Sequence, residues 1–174
     1  MESIKWIELL SYTLPAIITG IVAYSFFHLN LKNDSDKRKY LLLKELHKVA
    51  LPMRLQAYER MVLYLERINP AKLLIRIAPL SDDKTAYENL LIQQIEQEFE
   101  HNLTQQIYIT EDCWTVISTA KNTIIQNIRK AAMSEKVETS NKLREVILSD
   151  LLEKPSPSYV AISYLKAEVI NLMS

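Results

Sequence analysis

Glu98-x-x-His101, within "EFEHN", is the spacing in this chain closest to a metal-ligand pair. Residues three apart on a helix share a face, so a carboxylate and an imidazole placed this way could hold one ion. Helical di-iron sites draw on a second such motif and two further glutamates from facing helices. Of the other histidines, His28 stands at the edge of an apolar run and His47 has no glutamate three residues before it. Glu98 and His101 therefore support only an alternative reading, a metal-dependent or other enzyme. The lone thiol, Cys113, falls in the first turn of an expected helix, where the helix dipole favours the thiolate. Glu111 and Asp112 beside it act in the opposite direction. Neither G-x-S-x-G nor H-E-x-x-H occurs. No catalytic or cofactor-binding residue is assigned, and no cofactor is expected.

A second kind of chemistry is docking. The stretch "LPMRLQAYERMVLYLERINP", Leu51–Pro70, carries Arg54, Glu59, Arg60 and Arg67 on one expected helix, and these are the candidate partner-binding residues. Leu51, Leu55, Tyr58, Val62 and Leu65 recur at three- and four-residue spacing and form an apolar stripe. Met53, Ala57, Met61 and Ile68 widen that stripe, and Arg54 and Tyr64 lie at its border. The plain reading is a core helix with a charged back; the functional reading is a surface for another protein or a second copy.

The elements that must position these groups all read as helices. Ser35 or Asp36 is an expected cap for a helix from Lys37, and Pro52 is expected to kink or restart it. Asn69-Pro70 pairs a capping residue with a proline suited to the first helical position. Ser81 or Asp82 is expected to start a long helix to about Tyr108, and Thr110 to cap the next, with Trp114, Ile117, Ile124 and Ile128 as its stripe. Gln105, Gln106, Asn122 and Asn127 stand near these stripes and could fix register through buried hydrogen bonds. After a polar turn over 134–140, a helix is expected to end near Glu153, and Ser156-Pro157 opens the last one. The expected class is all-α: an N-terminal transmembrane helix followed by a helical bundle.

Composition narrows the function classes. The chain has 174 residues and a single glycine, Gly20, within an apolar run. Phosphate-cradling loops and dinucleotide folds need glycines where the backbone turns tightly or approaches a phosphate, so the composition argues against both. Lys+Arg and Asp+Glu balance at 21 each, which argues against a nucleic-acid partner. One cysteine cannot form an internal disulfide.

Leu9–Phe27, "LLSYTLPAIITGIVAYSFF", contains no charged residue. As a helix it would rise about 28 Å, close to the roughly 30 Å hydrocarbon core of a bilayer. Trp6 and Tyr24 stand near its ends as membrane-interface aromatics, and Lys37, Arg38 and Lys39 follow it as cations for the headgroups. More cations follow the run than precede it, which expects a single pass in the inner (cytoplasmic) membrane with the C-terminal body in the cytoplasm. The alternative is an exported helical binding protein, cleaved near Ser25, because Ala23-Tyr24-Ser25 has small residues at the needed spacing. The expected organisation is an anchor at 1–30, a polar juxtamembrane linker at 31–40 and a helical bundle at 41–174.

Three blocks, "LPMRLQAYERMVLYLERINPAKLL", "EFEHNLTQQIYITEDCWTVISTAK" and "AISYLKAEVINLM", resemble an uncharacterised family of small bacterial proteins with one N-terminal membrane span. The resemblance implies an anchored helical architecture and no activity. It directs attention to Arg54, Gln56, Tyr58, Glu59, Arg60, Glu66, Arg67, Glu100, His101, Asn102, Gln105, Gln106 and Trp114, which lie in those blocks. The expected function is a membrane-anchored protein-interaction or scaffold module. Its expected partners are membrane lipid through one span and an unidentified protein or a second copy.

Overall fold

A computed structural model describes the backbone from Glu2 to Met173, and the side chains except those of residues 1–11, 16, 29–36 and 174. The order is α1 (Glu2–Ile68), α2 (Pro70–Arg76), α3 (Lys84–Asn102), a 3-10 turn (Leu103–Ile107), α4 (Glu111–Ala132), α5 (Ser140–Glu153) and α6 (Pro157–Met173). Among the described residues there is no strand, only an isolated bridge between Asp83 and Thr139. The protein is all-helical, and the chain divides into two compact units, Met1–Ala50 and Leu51–Ser174.

In the first unit the backbone is helical from Glu2 onward. The polar stretch 31–40, read above as a linker, belongs to α1, and Asp36 caps no helix start. Neither glycine nor proline occurs between Gly20 and Pro52, so nothing in that stretch interrupts the hydrogen-bond ladder. The helix does not restart at Pro52, since α1 runs on to Ile68. The hydroxyl of Thr19 donates to the carbonyl of Pro15, four residues earlier, at 2.8 Å, the back-bond that Ser and Thr make inside helices. Among the described residues no helix is long and apolar enough to cross a membrane. The stretch Leu9–Phe27 includes Leu9, Leu10, Ser11 and Ala16, whose side chains lie outside the described residues, as does that of Trp6.

The second unit is a bundle built around α4, which packs on α3, α5 and α6. Ile117, Ile124 and Ile128 of α4 are completely or almost completely buried, as the stripe predicts. The α1 stripe is rotated from the expected one. Ala57, Tyr58, Met61, Tyr64, Leu65 and Ile68 are buried, while Met53 is exposed. Tyr64 is therefore a core residue and not a border one.

The caps explain where the helices start. Asn69 accepts from the N–H of Ala71, with Pro70 in the first helical position. Asp83, one residue past the expected cap, accepts from Thr85, and α3 ends at Asn102 because the chain tightens into the 3-10 turn. Thr110 accepts from Cys113 and Thr139 from Lys142. The buried polar side chains that fix register are not the expected glutamines and asparagines. Asn69 donates to Ser158 at 3.0 Å, and Ser158 in turn bonds Ser156 at 2.9 Å. This ties the start of α2 to the start of α6 through groups that are all buried. Gln106 is exposed, and so are Asn122 and Asn127.

Candidate functional site

A polar cluster in the Leu51–Ser174 unit gathers on Glu168 of α6. Tyr58 of α1 donates its hydroxyl to Oε1 at 2.6 Å. Thr110, the α4 cap, donates to the same oxygen at 2.5 Å while accepting from the N–H of Cys113. The Cys113 thiol adds a weaker donor, and the Arg54 charge lies near enough to act on the carboxylate. Arg54 Nε donates to the carbonyl of Tyr108 at 3.0 Å, which fixes the turn leading into α4. The second carboxylate oxygen, Oε2, is buried without a hydrogen-bond partner among the described residues.

The electrostatics set what this cluster can do. Burial opposes the charged carboxylate, but the hydrogen bonds from Thr110, Tyr58 and Cys113, with the Arg54 charge, outweigh it and hold Glu168 below its ordinary value of 4.5. Burial, reinforced by the carboxylate, pushes the Cys113 thiol up to about 12. Burial and the bond to Glu168 likewise push Tyr58 to about 12. At neutral pH the cluster is thus one anion surrounded by protonated donors. Cys113 is fully buried and protonated, so it lacks both the access and the thiolate that a nucleophile needs. The helix-dipole effect expected at this position is overridden by desolvation. The arrangement is a clamp joining α1, α4 and α6.

Glu98, read above as a possible metal ligand, is held by arginines. Arg67 donates to Oε1 through both Nε, at 2.8 Å, and Nη2. Arg76 approaches the same oxygen at 3.4 Å. His101 is exposed. Among the described residues no group of three or more His, Cys, Asp or Glu side chains could hold a metal ion. The neighbouring aromatic cluster stacks Phe99 on Trp114 at 5.2 Å and against Tyr64 at 5.8 Å, with Lys121 lying over the Phe99 ring at 4.4 Å. Lys121 also pairs with Glu96 at 2.7 Å. The Tyr64 hydroxyl is buried without a partner among the described residues, and burial together with the nearby Glu96 and Glu98 charges raises its pKa.

The candidate docking residues thus separate. Arg54 and Arg67 are committed to Tyr108 and Glu98. Glu59 and Arg60 are exposed. At the other end of the chain, Tyr24 is 72% exposed and stacks on His28 at 6.0 Å, and Lys37, Arg38 and Lys39 are exposed. A cavity of about 550 Å³ opens between α4 and α5, floored by Ile124, Ile128 and Val146 and edged by Lys130, Asp150 and Lys154.

Glu168 is the residue the sequence reading missed. A partial signal exists: it stands seven residues, about two helical turns, after Ala161, which is buried, and so on the inward flank of α6. A charged residue at that phase asks for a partner.

The chain belongs to the family of unknown function DUF7935, whose match runs over residues 4–172. No curated protein and no solved structure matches it.

Proposed function

We propose that this member of an uncharacterised family is a single-pass, membrane-tethered helical module whose Leu51–Ser174 unit works on the cytoplasmic face by binding another protein. The observation that carries the tether is the distribution of apolar side chains on the N-terminal part of α1. Leu14, Ile17, Ile18, Val22, Phe26 and Phe27 are each 50% or more exposed. At 100° per residue they fall on every side of the helix, not on one stripe. A helix that is apolar all round requires an apolar surrounding, which lipid supplies. The cations after the run support the orientation. The docking part of the reading rests on Glu59, Arg60 and Leu63. Leu63 is 59% exposed and sits between charged groups on the outward side of α1.

Alkaline carbonate extraction of cells expressing the full chain with a C-terminal reporter tests this reading. The expected result is protein in the membrane pellet with the reporter shielded from protease added outside spheroplasts. Protein released by carbonate, or a mature chain beginning near Phe26, overturns the tether. A reporter digested from outside overturns the orientation.

A further inference from the structure

The outward faces of the bundle helices differ. On α3 that face shows Asn89, Gln93, Gln97 and Glu100, and on α4 it shows Thr115, Asn122, Gln126 and Lys130. On α6, Tyr159, Val160, Tyr164, Ile170 and Met173 are each 40% or more exposed, and Lys166 is the only exposed charge. Val160, Ser163, Ala167 and Ile170 are all exposed and follow one another at three, four and three residues, the spacing of a coiled-coil seam. The opposite side of α6, through Ala161, Ile162 and Leu165, is already taken up by the core. The small side chains in the middle of the seam let a facing helix approach closely. The Ser163 hydroxyl donates to the Tyr159 carbonyl at 3.0 Å, so covering it strands no donor.

The two flanks of this seam carry opposite charge. Lys166 lies on one flank. Tyr164 lies on the other, close enough to Asp112 at the start of α4 for that charge to act on its hydroxyl. We propose that this face of α6 is a parallel, in-register interface between two copies of the chain. Twofold pairing of parallel helices sets Lys166 of each copy beside Tyr164 and Asp112 of the other, so the one cation meets an anion twice. Antiparallel pairing sets lysine beside lysine and Asp112 beside Asp112, which is repulsive on both flanks. The inference goes beyond the reading above and rests on neither the tether nor the α1 docking residues.

The area fits such a pair. Covering the seam and its flanking side chains removes roughly 600 Å² from water on each copy, or about 1,200 Å² in all, where specific interfaces begin. Left in solvent, a continuous apolar face of this size is the kind that marks an interaction surface, not the scattered singles that surfaces tolerate. Lipid suits the face less well. A helix lying on a bilayer brings several cations to the headgroups, whereas this face brings one lysine and holds Asp112 at its edge.

The test is disulfide scanning of the full chain in crude extracts. Cysteines are introduced one at a time as Val160→Cys and Ile170→Cys, with Gln126→Cys and Ser149→Cys as exposed controls on α4 and α5, and mild oxidation precedes non-reducing electrophoresis. The native Cys113 is fully buried, so the parent chain sets the baseline. The expected result is a species of twice the chain's mass in both α6 variants, several-fold above the controls. Val160 and Ile170 stand about 15 Å apart along the helix, beyond disulfide reach, so no antiparallel register joins each of them to its own counterpart. Dimer in neither α6 variant, in only one, or equally in the controls overturns the pairing. A cross-linked species of another mass does so too, since a different protein would then cover the face. Charge reversal adds a second readout at exposed positions. In the Val160→Cys chain, Lys166→Asp should lower the dimer several-fold, and adding Asp112→Lys should restore it. No loss, or a loss without recovery, also overturns the pairing.

Discussion

Glu168 and Glu98 are both carboxylates that connect α1 to a distant part of the chain, yet different chemistry holds each. Glu168 takes two hydroxyl donors on one oxygen and faces a single arginine charge from Arg54. Glu98 takes guanidinium groups from Arg67 and Arg76, whose side chains are 46% and 33% exposed. At the first cluster the donors are neutral and local geometry does the work, so the anion is kept by hydrogen bonds in a partly desolvated place. At the second, opposite charges meet at the rim, where water screens them. The two clusters flank one stretch of α1, with Tyr58 on one side of Leu65 and Arg67 on the other.

The largest effect expected on this stretch belongs to neither carboxylate. Leu65 is fully buried, and Leu65→Ala should cost about 2–5 kcal/mol, as truncations of packed cores do. Urea unfolding followed by circular dichroism measures it. A smaller loss than that caused by removing either carboxylate would mean that polar contacts, not packing, seat α1. The comparison of the clusters would then become the main account of stability instead of a refinement of it.

Glu168→Gln comes next and tests whether the charge matters at the first cluster. The amide keeps the volume but weakens two charge-assisted bonds, with an expected cost of about 2 kcal/mol at pH 7. The pH dependence gives the sign. Glu168 has a lowered pKa in the fold, so its contribution is present above 4.5 and is lost as pH falls through the folded value. The gap between parent and variant should therefore close in acid. Tyr58 and Cys113 act at the other limit. Both are raised to about 12, from 10.0 and 9.0, so stability is full below pH 9 and declines as pH rises towards 12. A thiol reagent at pH 8 should label Cys113 only as fast as the protein unfolds. Rapid labelling of the native chain, or a gap that widens in acid, would show that the cluster is wet and loosely held.

The features that could be read from sequence are those that local rules govern. Asn69-Pro70 and Thr110 mark helix starts because a cap and its N–H lie within three residues of each other, and Pro157 opens α6 at the expected place. The α4 stripe was legible because four isoleucine and tryptophan positions share one phase. The Glu168 cluster was not, because its partners lie 110 and 58 residues away, and no periodicity links them. Glu98 shows the complementary error. Its spacing from His101 is a true helical neighbourhood, but Arg67, 31 residues earlier, claims the carboxylate first. The stretch 31–40 expected as a linker lies within α1 for another reason: polarity was taken for a loop, although the stretch holds neither glycine nor proline to break a helix.

The smallest effects expected are those of Arg67→Glu and Arg60→Glu, and they divide the candidate docking surface on α1. Arg67 is half exposed, but its partner Glu98 is only 16% exposed, so reversal places two acids together where one is partly shielded from water. The expected loss is about 1 kcal/mol, because Arg76 at 3.4 Å still faces Glu98 and solvent reaches the pair. Arg60 is exposed, and its reversal should move stability by less than about 0.5 kcal/mol. Chemical denaturation of both variants beside the parent decides the matter. If Arg60→Glu leaves stability untouched but removes a protein recovered with the cross-linked parent from membranes, Arg60 belongs to a docking surface and Arg67 to the fold. If Arg67→Glu costs several kcal/mol, the Glu98 cluster is as shielded as the Glu168 one, and the contrast between a rim ion pair and an interior clamp fails.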